Sequence, residues 1–182
     1  HYSRSYDLAL ALAEQHGFAN LTTTFINPYA VAGLTAVGRE IAMQLGGSPD
    51  QALIPTGSGP LVKGVWQGLV EQSLTTRLVA VQAEGCAPIV RAFEAGDDTV
   101  TAWGTPQTIA SGISDPLIGY ERDGTYTLRL IRESGGSAVA VSDAELRTAM
   151  ARLARSEGIY AEPTGASPIA ALPKLLATGT LA

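Results

Sequence analysis

The sequence predicts an α/β fold, a three-layer αβα arrangement in which helices cover both faces of a mostly parallel β-sheet. Short segments rich in β-branched residues alternate with longer segments of helical periodicity. Because parallel neighbours need a crossover connection, this alternation favours a parallel sheet with a helix layer on each side. Hydrophobic residues make up 46% and charged residues 16% of the 182 residues, a balance typical of a globular α/β domain.

The first half of the chain alternates helices with short strands. A helix over 5–16 ends at Gly17, and a helix over 30–45 ends at Gly46, since glycine is favoured just after a helix C-terminus. The other predicted elements are strands over 21–26, 51–56 and 77–82 and helices over about 60–72 and 87–95.

The second half begins with a stretch over 96–124 that is rich in Gly, Pro, Asp and Ser and is predicted mostly as loop. The segment 125–134 stays open, because its β-forming residues favour a strand whereas its length and flanks favour a helix. Ser142 and Glu145 form an S-x-x-E capping box at the start of a helix that extends to about 156. The remaining elements are strands over 137–142 and 158–162 and a last helix over about 166–177.

A glycine-rich turn separates the predicted strand 51–56 from the helix that follows it. Gly57 and Gly59 allow close approach of the backbone, and Ser58 adds a hydroxyl donor. Backbone N–H groups at a helix N-terminus bind phosphate, although Pro60 has no N–H to contribute. The turn therefore predicts a phosphate site, with an ordinary tight β–α connection as the alternative.

Two familiar phosphate loops do not match this turn. The P-loop requires Ser or Thr after its lysine, whereas Gly64 follows Lys63. The dinucleotide-binding G-x-G-x-x-G pattern requires a third glycine where Val62 stands.

The helix after the turn has two distinct non-apolar faces. Lys63, Gln67 and Glu71 follow i, i+4, i+8 spacing, so we interpret Lys63 as a solvated residue of a polar stripe. Gly64 and Gly68 form a strip of small residues suited to close helix packing.

Composition excludes several classes of function. The formal net charge is −5 and no basic block occurs, so we expect no nucleic-acid partner. The apolar runs are too short for a membrane span, and there is no signal-peptide pattern. His1, His16 and the single Cys86 are too few for a zinc site or a Cys/His dyad. A lone cysteine favours a cytoplasmic location.

Other polar residues have two interpretations each. Cys86 is either a thiol of lowered pKa near a helix N-terminus or, as we favour, a small buried residue. Glu84 and Glu162 follow predicted strands, so each either faces a cleft or holds a neighbouring turn. The loop 110–116 is centred on a glycine and is long enough to line a pocket, while Asp97-Asp98 is typical of a solvated loop pair.

Four stretches of sequence, in this order along the chain, together resemble the fold-type II pyridoxal-phosphate enzymes, and within them threonine synthase. These stretches are INPYAVAGLTAVGREIAMQLG, IPTGSGPLVKGVWQGLVE, VQAEGCAPIVRAFEAG and ESGGSAVAVSDAELRTAMARLARSEGIYAEPTGASPIAAL. The resemblance covers essentially the whole chain. The segment beginning Asn27-Pro28-Tyr29 is more similar to threonine synthase than to serine/threonine ammonia-lyase, whereas the later stretches are also shared with the tryptophan synthase β chain.

The resemblance implies a set of cofactor-binding residues, a reaction and a partner. The phosphate of pyridoxal 5′-phosphate would be bound by Gly57, Ser58, Gly59, Pro60 and Leu61, with the loop around Gly112 against the pyridine ring and Glu162 at the cofactor cleft. The implied reaction converts O-phosphohomoserine to threonine and phosphate in the cytoplasm, with a serine/threonine ammonia-lyase as the alternative. The implied partners are an amino-acid substrate and a second copy of the chain.

The chain also departs from the family pattern. Pro60 stands where the family usually has glycine or asparagine, which removes one donor. The family's cofactor-attaching lysine lies upstream of anything that matches His1, its residue facing the pyridine nitrogen lies beyond Ala182, and neither Lys63 nor Lys174 matches a catalytic position. The resemblance thus implies that 1–182 is a single partial α/β domain, the later part of the large domain, without its lysine-bearing part and last strand. The alternative is a piece that binds pyridoxal phosphate or another phosphate noncovalently.

Overall fold

A parallel sheet lies at the centre of the computed structural model, which describes residues 2–21 and 25–181. Its strands are β1 (Gln51–Pro55), β2 (Arg77–Ala83) and β3 (Ser137–Val141), in the spatial order β1-β2-β3. The helices are α1 (Tyr2–His16), α2 (Pro28–Leu45), α3 (Pro60–Val70), α4 (Pro88–Ala95), α5 (Glu121–Glu133), α6 (Asp143–Glu157) and α7 (Pro163–Ala177), with a 3-10 turn at Ser111–Ile113. None of the helices in these ranges is long and apolar enough to cross a membrane.

The two faces of β2 bury different sets of side chains, which confirms the three-layer arrangement. Val79 and Val81 pack in one cluster with buried residues of α6 and α7. Leu78 packs on the opposite face with α3, and Ala80 packs there with α4 and α5. Successive residues of a strand point to opposite faces, so β2 needs apolar residues throughout because helices cover both.

Side chains cap the N-termini of two helices, and the sequence predicts one of these two caps. The Asn27 Oδ1 atom accepts the N–H groups of Tyr29 and Ala30 at 3.0 and 3.3 Å and so begins α2. At α6 the Ser142 N–H donates to Glu145 Oε2 at 2.7 Å, and the Glu145 N–H donates to Ser142 Oγ at 3.3 Å. The predicted capping box is therefore confirmed.

The ambiguous segment 125–134 is helical and lies within α5. Gly124, Leu128 and Ile131 are buried along this helix, and their spacing places them on the face that packs under the sheet. Helical periodicity therefore decides the structure against the β-propensity of the individual residues.

The strand predicted over 158–162 is wrong. Gly158 ends α6 in the left-handed conformation with φ 67°, and the chain then continues without a sheet neighbour. Ile159 and Tyr160 are 53% and 85% exposed, so their β-propensity has no partner strand to satisfy. The last helix starts at Pro163, earlier than predicted.

The strand predicted over 21–26 falls partly on residues 22–24, which lie outside the described residues. Phe25 and Ile26 form a turn that leads into α2.

Helices α2 and α3 pack with their backbones in close approach, as the glycine strip predicts. A Cβ atom at Gly64 would overlap the Leu34 side chain of α2, and one at Gly68 would overlap the Thr35 carbonyl oxygen. Both glycines are therefore required by packing rather than by conformation.

We predict that Gly68→Ala lowers the free energy of unfolding by about 1–3 kcal/mol, because the added methyl group forces α2 and α3 apart. The matched control is Gly33→Ala on the exposed side of α2, where an added Cβ meets no atom within 4 Å. That variant should gain about 0.5–1 kcal/mol, since alanine is the better helix former. Urea denaturation measures both, and a Gly68→Ala protein as stable as the parent would contradict the packing.

Candidate functional site

The turn between β1 and α3 leaves backbone donors without partners inside the helix. The first bond of α3 runs from the Lys63 N–H to the Gly59 carbonyl oxygen at 3.1 Å. No side chain caps the helix at Gly59, and Pro60 has no N–H. The N–H groups of Leu61 and Val62 consequently have no acceptor within α3.

A second helix begins at the same place in the same manner. The first bond of α7 runs from the Ala166 N–H to the Glu162 carbonyl oxygen at 2.9 Å, and no side chain caps this N-terminus. The N–H groups of Thr164 and Gly165 therefore have no acceptor within α7. Each helix N-terminus carries a partial positive charge, so both favour a negatively charged ligand.

Both helix ends open into one cavity of about 460 Å³ beyond the carboxyl end of β1, which we call the site cavity. All the predicted cofactor-binding residues line it, namely Gly57, Ser58, Gly59, Pro60, Leu61, Gly112 and Glu162. The other lining residues are Leu34, Pro55, Ser111, Ile113, Ser114, Asp115, Thr164 and Gly165. Four separate segments of the chain thus meet at the position where a parallel sheet is expected to bind its ligand.

The buried side chain of Gln82 holds the turn in place. Its Nε2 atom donates to the carbonyl oxygens of Thr56 and Gly57, both at 3.2 Å. Its Oε1 atom accepts the N–H groups of Ile89 and Val90 at 2.9 and 3.1 Å, at the start of α4. Both donors and both acceptor positions of the amide are used, so Gln82 connects the glycine-rich turn to β2 and α4.

Thr127 of α5 supports the turn from behind. Its hydroxyl donates to the Ser58 carbonyl oxygen at 2.6 Å. Gly59 has a φ of 111°, and a Cβ atom there would overlap the Thr127 side chain. Glycine is therefore required at 59 for both its conformation and its contact.

The loop after the 3-10 turn forms the opposite wall of the site cavity. The Gly112 N–H donates to Thr164 Oγ1 at 3.0 Å, which joins this loop to α7. Asp115 Oδ1 accepts the Leu117 N–H at 3.2 Å and the Tyr120 hydroxyl at 2.5 Å. The lining therefore combines hydroxyl groups with two carboxylates, and no Lys or Arg is among the described residues that form it.

Lys63 lies outside the site cavity and is half-buried, so its interpretation as a solvated residue is wrong in part. Its Nζ atom lies 5.1 Å from the centroid of the Tyr126 ring. With Arg122 and Arg129 it lines a second cavity of about 650 Å³. These three positive side chains therefore line the second cavity and not the site cavity.

Glu84 and Lys174 form a structural ion-pair cluster. The Lys174 Nζ atom lies 2.9 Å from Glu84 Oε1 and 3.0 Å from Glu145 Oε2, and it donates to the Ala140 carbonyl oxygen at 2.9 Å. Burial lowers the pKa of Lys174, but its hydrogen bonds to both carboxylates outweigh this effect and raise the pKa above the ordinary value. Glu84 thus pairs with Lys174 of α7, and it also lines a third cavity of about 650 Å³, so the structure does not separate its two alternatives.

Cys86 is fully buried, as favoured from the sequence. Burial, and next the charge of Asp115, raise the pKa of its thiol to about 12. The alternative of a reactive thiolate is therefore excluded. No group of His, Cys, Asp and Glu residues within 2–21 and 25–181 is arranged to hold a metal ion.

Sequence reasoning missed four residues that shape the site, namely Gln82, Asp115, Thr127 and Thr164. Gln82 offered a signal, because it is the one strongly polar side chain within the apolar run LVAVQA. Asp115 lies in the loop 110–116, which the sequence predicts as long enough to line a pocket and which does so, although its own contacts were not foreseen. Thr127 and Thr164 offered no signal, since each acts on a segment distant in sequence.

Comparison with known proteins gives a consistent family. The whole chain, residues 1–182, matches the family model described as pyridoxal-phosphate dependent enzyme. Threonine synthase of Methanosarcina acetivorans is 37% identical over 163 residues, which cover 86% of this chain and 40% of that protein. An L-threonine dehydratase of Mycobacterium tuberculosis is 32% identical over 174 residues, which cover 92% of this chain and 39% of that protein.

A solved structure agrees with this result. The threonine deaminase of T.th. superposes with a TM-score of 0.73 at 27% identity, over 95% of this chain and 55% of that one. The chain spans less than half the length of the curated relatives named above.

We predict that Gln82→Leu lowers the free energy of unfolding by at least about 3 kcal/mol, because four buried backbone groups lose their partner at about 1–3 kcal/mol each. Gln67→Leu is the matched control, since the Gln67 amide only donates to Glu71 at 3.2 Å on the surface. The control should stay within about 0.5 kcal/mol of the parent. Urea denaturation of both variants tests this, and equal stabilities would show that the Gln82 network is dispensable.

Proposed function

Because this chain belongs to the pyridoxal-phosphate dependent enzyme family, we propose that its site cavity binds the phosphate of pyridoxal 5′-phosphate in a threonine-synthase-type lyase. The proposed reaction converts O-phosphohomoserine to threonine and phosphate. One observation carries the proposal: two uncapped helix N-termini, at Gly59 and Glu162, face the same cavity. The similarity to an archaeal threonine synthase supports the choice of reaction.

The residues of the turn fit a phosphate group. The N–H groups of Gly59 and Leu61 and the hydroxyl of Ser58 supply donors, while Gly57 keeps free the space that a side chain would fill against Asp115. Pro60 removes one donor, and the N–H groups at the start of α7 compensate for it. We propose that Gly57–Leu61 hold the phosphate.

The rest of the cofactor would be oriented by the other walls of the cavity. We propose that Gly112, whose N–H is bonded to Thr164, lies against the pyridine ring and that Glu162 lies at the mouth of the cleft. When bound, pyridoxal phosphate supplies the electron sink for chemistry at the substrate's α-carbon. The side chains of this chain bind the cofactor and fix its orientation.

The lysines of this chain are unsuited to attach the cofactor. Lys174 is held by Glu84 and Glu145, and Lys63 lines the second cavity. We therefore propose that residues 1–182 form the phosphate-binding part of a larger domain, whose attaching lysine lies in another part of the complete enzyme. A cytoplasmic homodimer, as in the fold-type II resemblance, belongs to the same proposal.

A second candidate function is a serine/threonine ammonia-lyase. The observation that favours it is the lining of the site cavity, in which the described residues include Asp115 and Glu162 but no Lys or Arg. O-phosphohomoserine brings a phosphate of its own in addition to that of the cofactor, and Lys or Arg would match its charge best, whereas serine and threonine carry no phosphate. The similarity to an L-threonine dehydratase supports this candidate as well.

We predict that the full-length protein loaded with pyridoxal phosphate releases inorganic phosphate from O-phosphohomoserine and forms threonine. Serine and threonine are the comparison substrates, with ammonia release as the readout. Ammonia release from threonine without phosphate release from O-phosphohomoserine would overturn the first candidate and support the second.

We predict that the 182-residue chain, incubated with pyridoxal phosphate and then with borohydride, gives no stoichiometric adduct at a single lysine. The ion pairs of Lys174 and the position of Lys63 outside the site cavity are the physical reasons. Peptide mass spectrometry locates any adduct. One full equivalent at Lys63 or Lys174 would show that this chain attaches the cofactor by itself.

A further inference from the structure

Asp115 directs one carboxylate oxygen at the phosphate turn. A Cβ atom built on Gly57 would lie 3.3 Å from Asp115 Cβ and 3.6 Å from Asp115 Oδ2. Oδ1 is occupied by the Leu117 N–H and the Tyr120 hydroxyl, whereas Oδ2 has no hydrogen-bond partner among the described residues. A charged oxygen without a partner thus lies beside the backbone that would bind an anion.

The surrounding structure fixes this position firmly. Tyr120 stacks on Tyr6 with ring centroids 4.4 Å apart, so the hydroxyl that binds Asp115 is held by packing against α1. Leu117 adopts a φ of 59° although it is fully buried, a conformation that is uncommon outside glycine. Such a conformation persists only where neighbouring contacts determine it, and the hydrogen bond from the Leu117 N–H to Asp115 is one of these contacts.

Among the residues that the structure describes, no positive side chain lines the site cavity to offset Asp115. The lining includes Glu162 as a second carboxylate and no Lys or Arg among the described residues. The charge of Asp115 also contributes, after burial, to the raised pKa of Cys86, and after burial and the opposing charge of Arg122 to the raised pKa of Asp123. The charge of Asp115 therefore acts on both neighbouring groups.

We propose that Asp115 is a specificity-determining residue that opposes anionic groups next to the phosphate turn. The site cavity then accepts one phosphate at Gly57–Leu61 and, beside Oδ2, a neutral hydrogen-bond donor or a cation rather than a second phosphate. This inference rests on the proposed cofactor site, and of the two candidate reactions it favours the second, whose amino-acid substrates carry no phosphate. Like charges about 4 Å apart weaken affinity by about fivefold in bulk water and by more near a protein surface, so an effect of about tenfold is expected for this partly solvated cavity.

The test compares Asp115→Asn with the parent in the full-length protein. Asparagine keeps an oxygen at the position of Oδ1, so the bonds from Leu117 and Tyr120 are retained while the charge is removed. We expect the dissociation constant for pyridoxal phosphate, and that for inorganic phosphate, to fall about tenfold. Pyridoxal, which lacks the phosphate, should bind within about twofold of the parent, and fluorescence titration measures all three ligands.

Asp98→Asn is the matched control, since it removes the same charge from a carboxylate that is 99% exposed and paired with Arg132 on the surface. Its phosphate affinity should equal that of the parent. Asp115→Ser provides a second neutral replacement if Asp115→Asn does not fold, and it should raise phosphate affinity in the same direction.

The outcomes separate this inference from the proposed function. Unchanged or weaker phosphate affinity in a folded neutral variant would overturn the role of Asp115 alone. If the parent protein itself does not bind pyridoxal phosphate, the proposed cofactor site is overturned. A final measurement compares O-phosphohomoserine with threonine as competitors, and the neutral variant should shift the preference about tenfold toward the phosphorylated ligand.

Discussion

The candidate site depends on one buried amide. Gln82 lies in the central strand and bonds both carbonyl oxygens at the start of the turn, and it also bonds the first free N–H groups of α4. Buried backbone groups must be paired, so this single side chain satisfies four groups that no regular element could reach. Because the carbonyl oxygens of Thr56 and Gly57 point inward to Gln82, the N–H groups that follow are left for a ligand.

Close backbone contacts make the turn rigid from its other sides. The glycines of α3 let α2 approach until the two backbones touch, and Gly59 lets Thr127 of α5 reach the Ser58 carbonyl oxygen. The backbone of the glycine turn is thus held by strand β2 and by helices on either side. A site prepared in this way does not have to order itself when a ligand binds.

Opposite charges face the site cavity, positive from helix N-termini and negative from carboxylates. Two helix N-termini, which favour negative charge, face the site cavity, and the carboxylates of Asp115 and Glu162 line the same cavity. The cationic side chains of Lys63, Arg122 and Arg129 line the second cavity instead. In the proposed function, the balance between helix ends and carboxylates, rather than any lysine of this chain, sets which ligands the site cavity accepts.

The sequence by itself determined the features that depend on neighbouring residues. The parallel α/β class, the glycine turn, the capping box at Ser142 and the glycine strip of α3 all follow from local chemistry and periodicity. Only the tertiary structure decided which distant segments meet. It brought Asp115 to the turn, made α5 a helix by burying one face, and left 158–162 outside the sheet because no strand lies beside it. Contacts between distant segments depend on how the layers pack, and no local pattern records that packing.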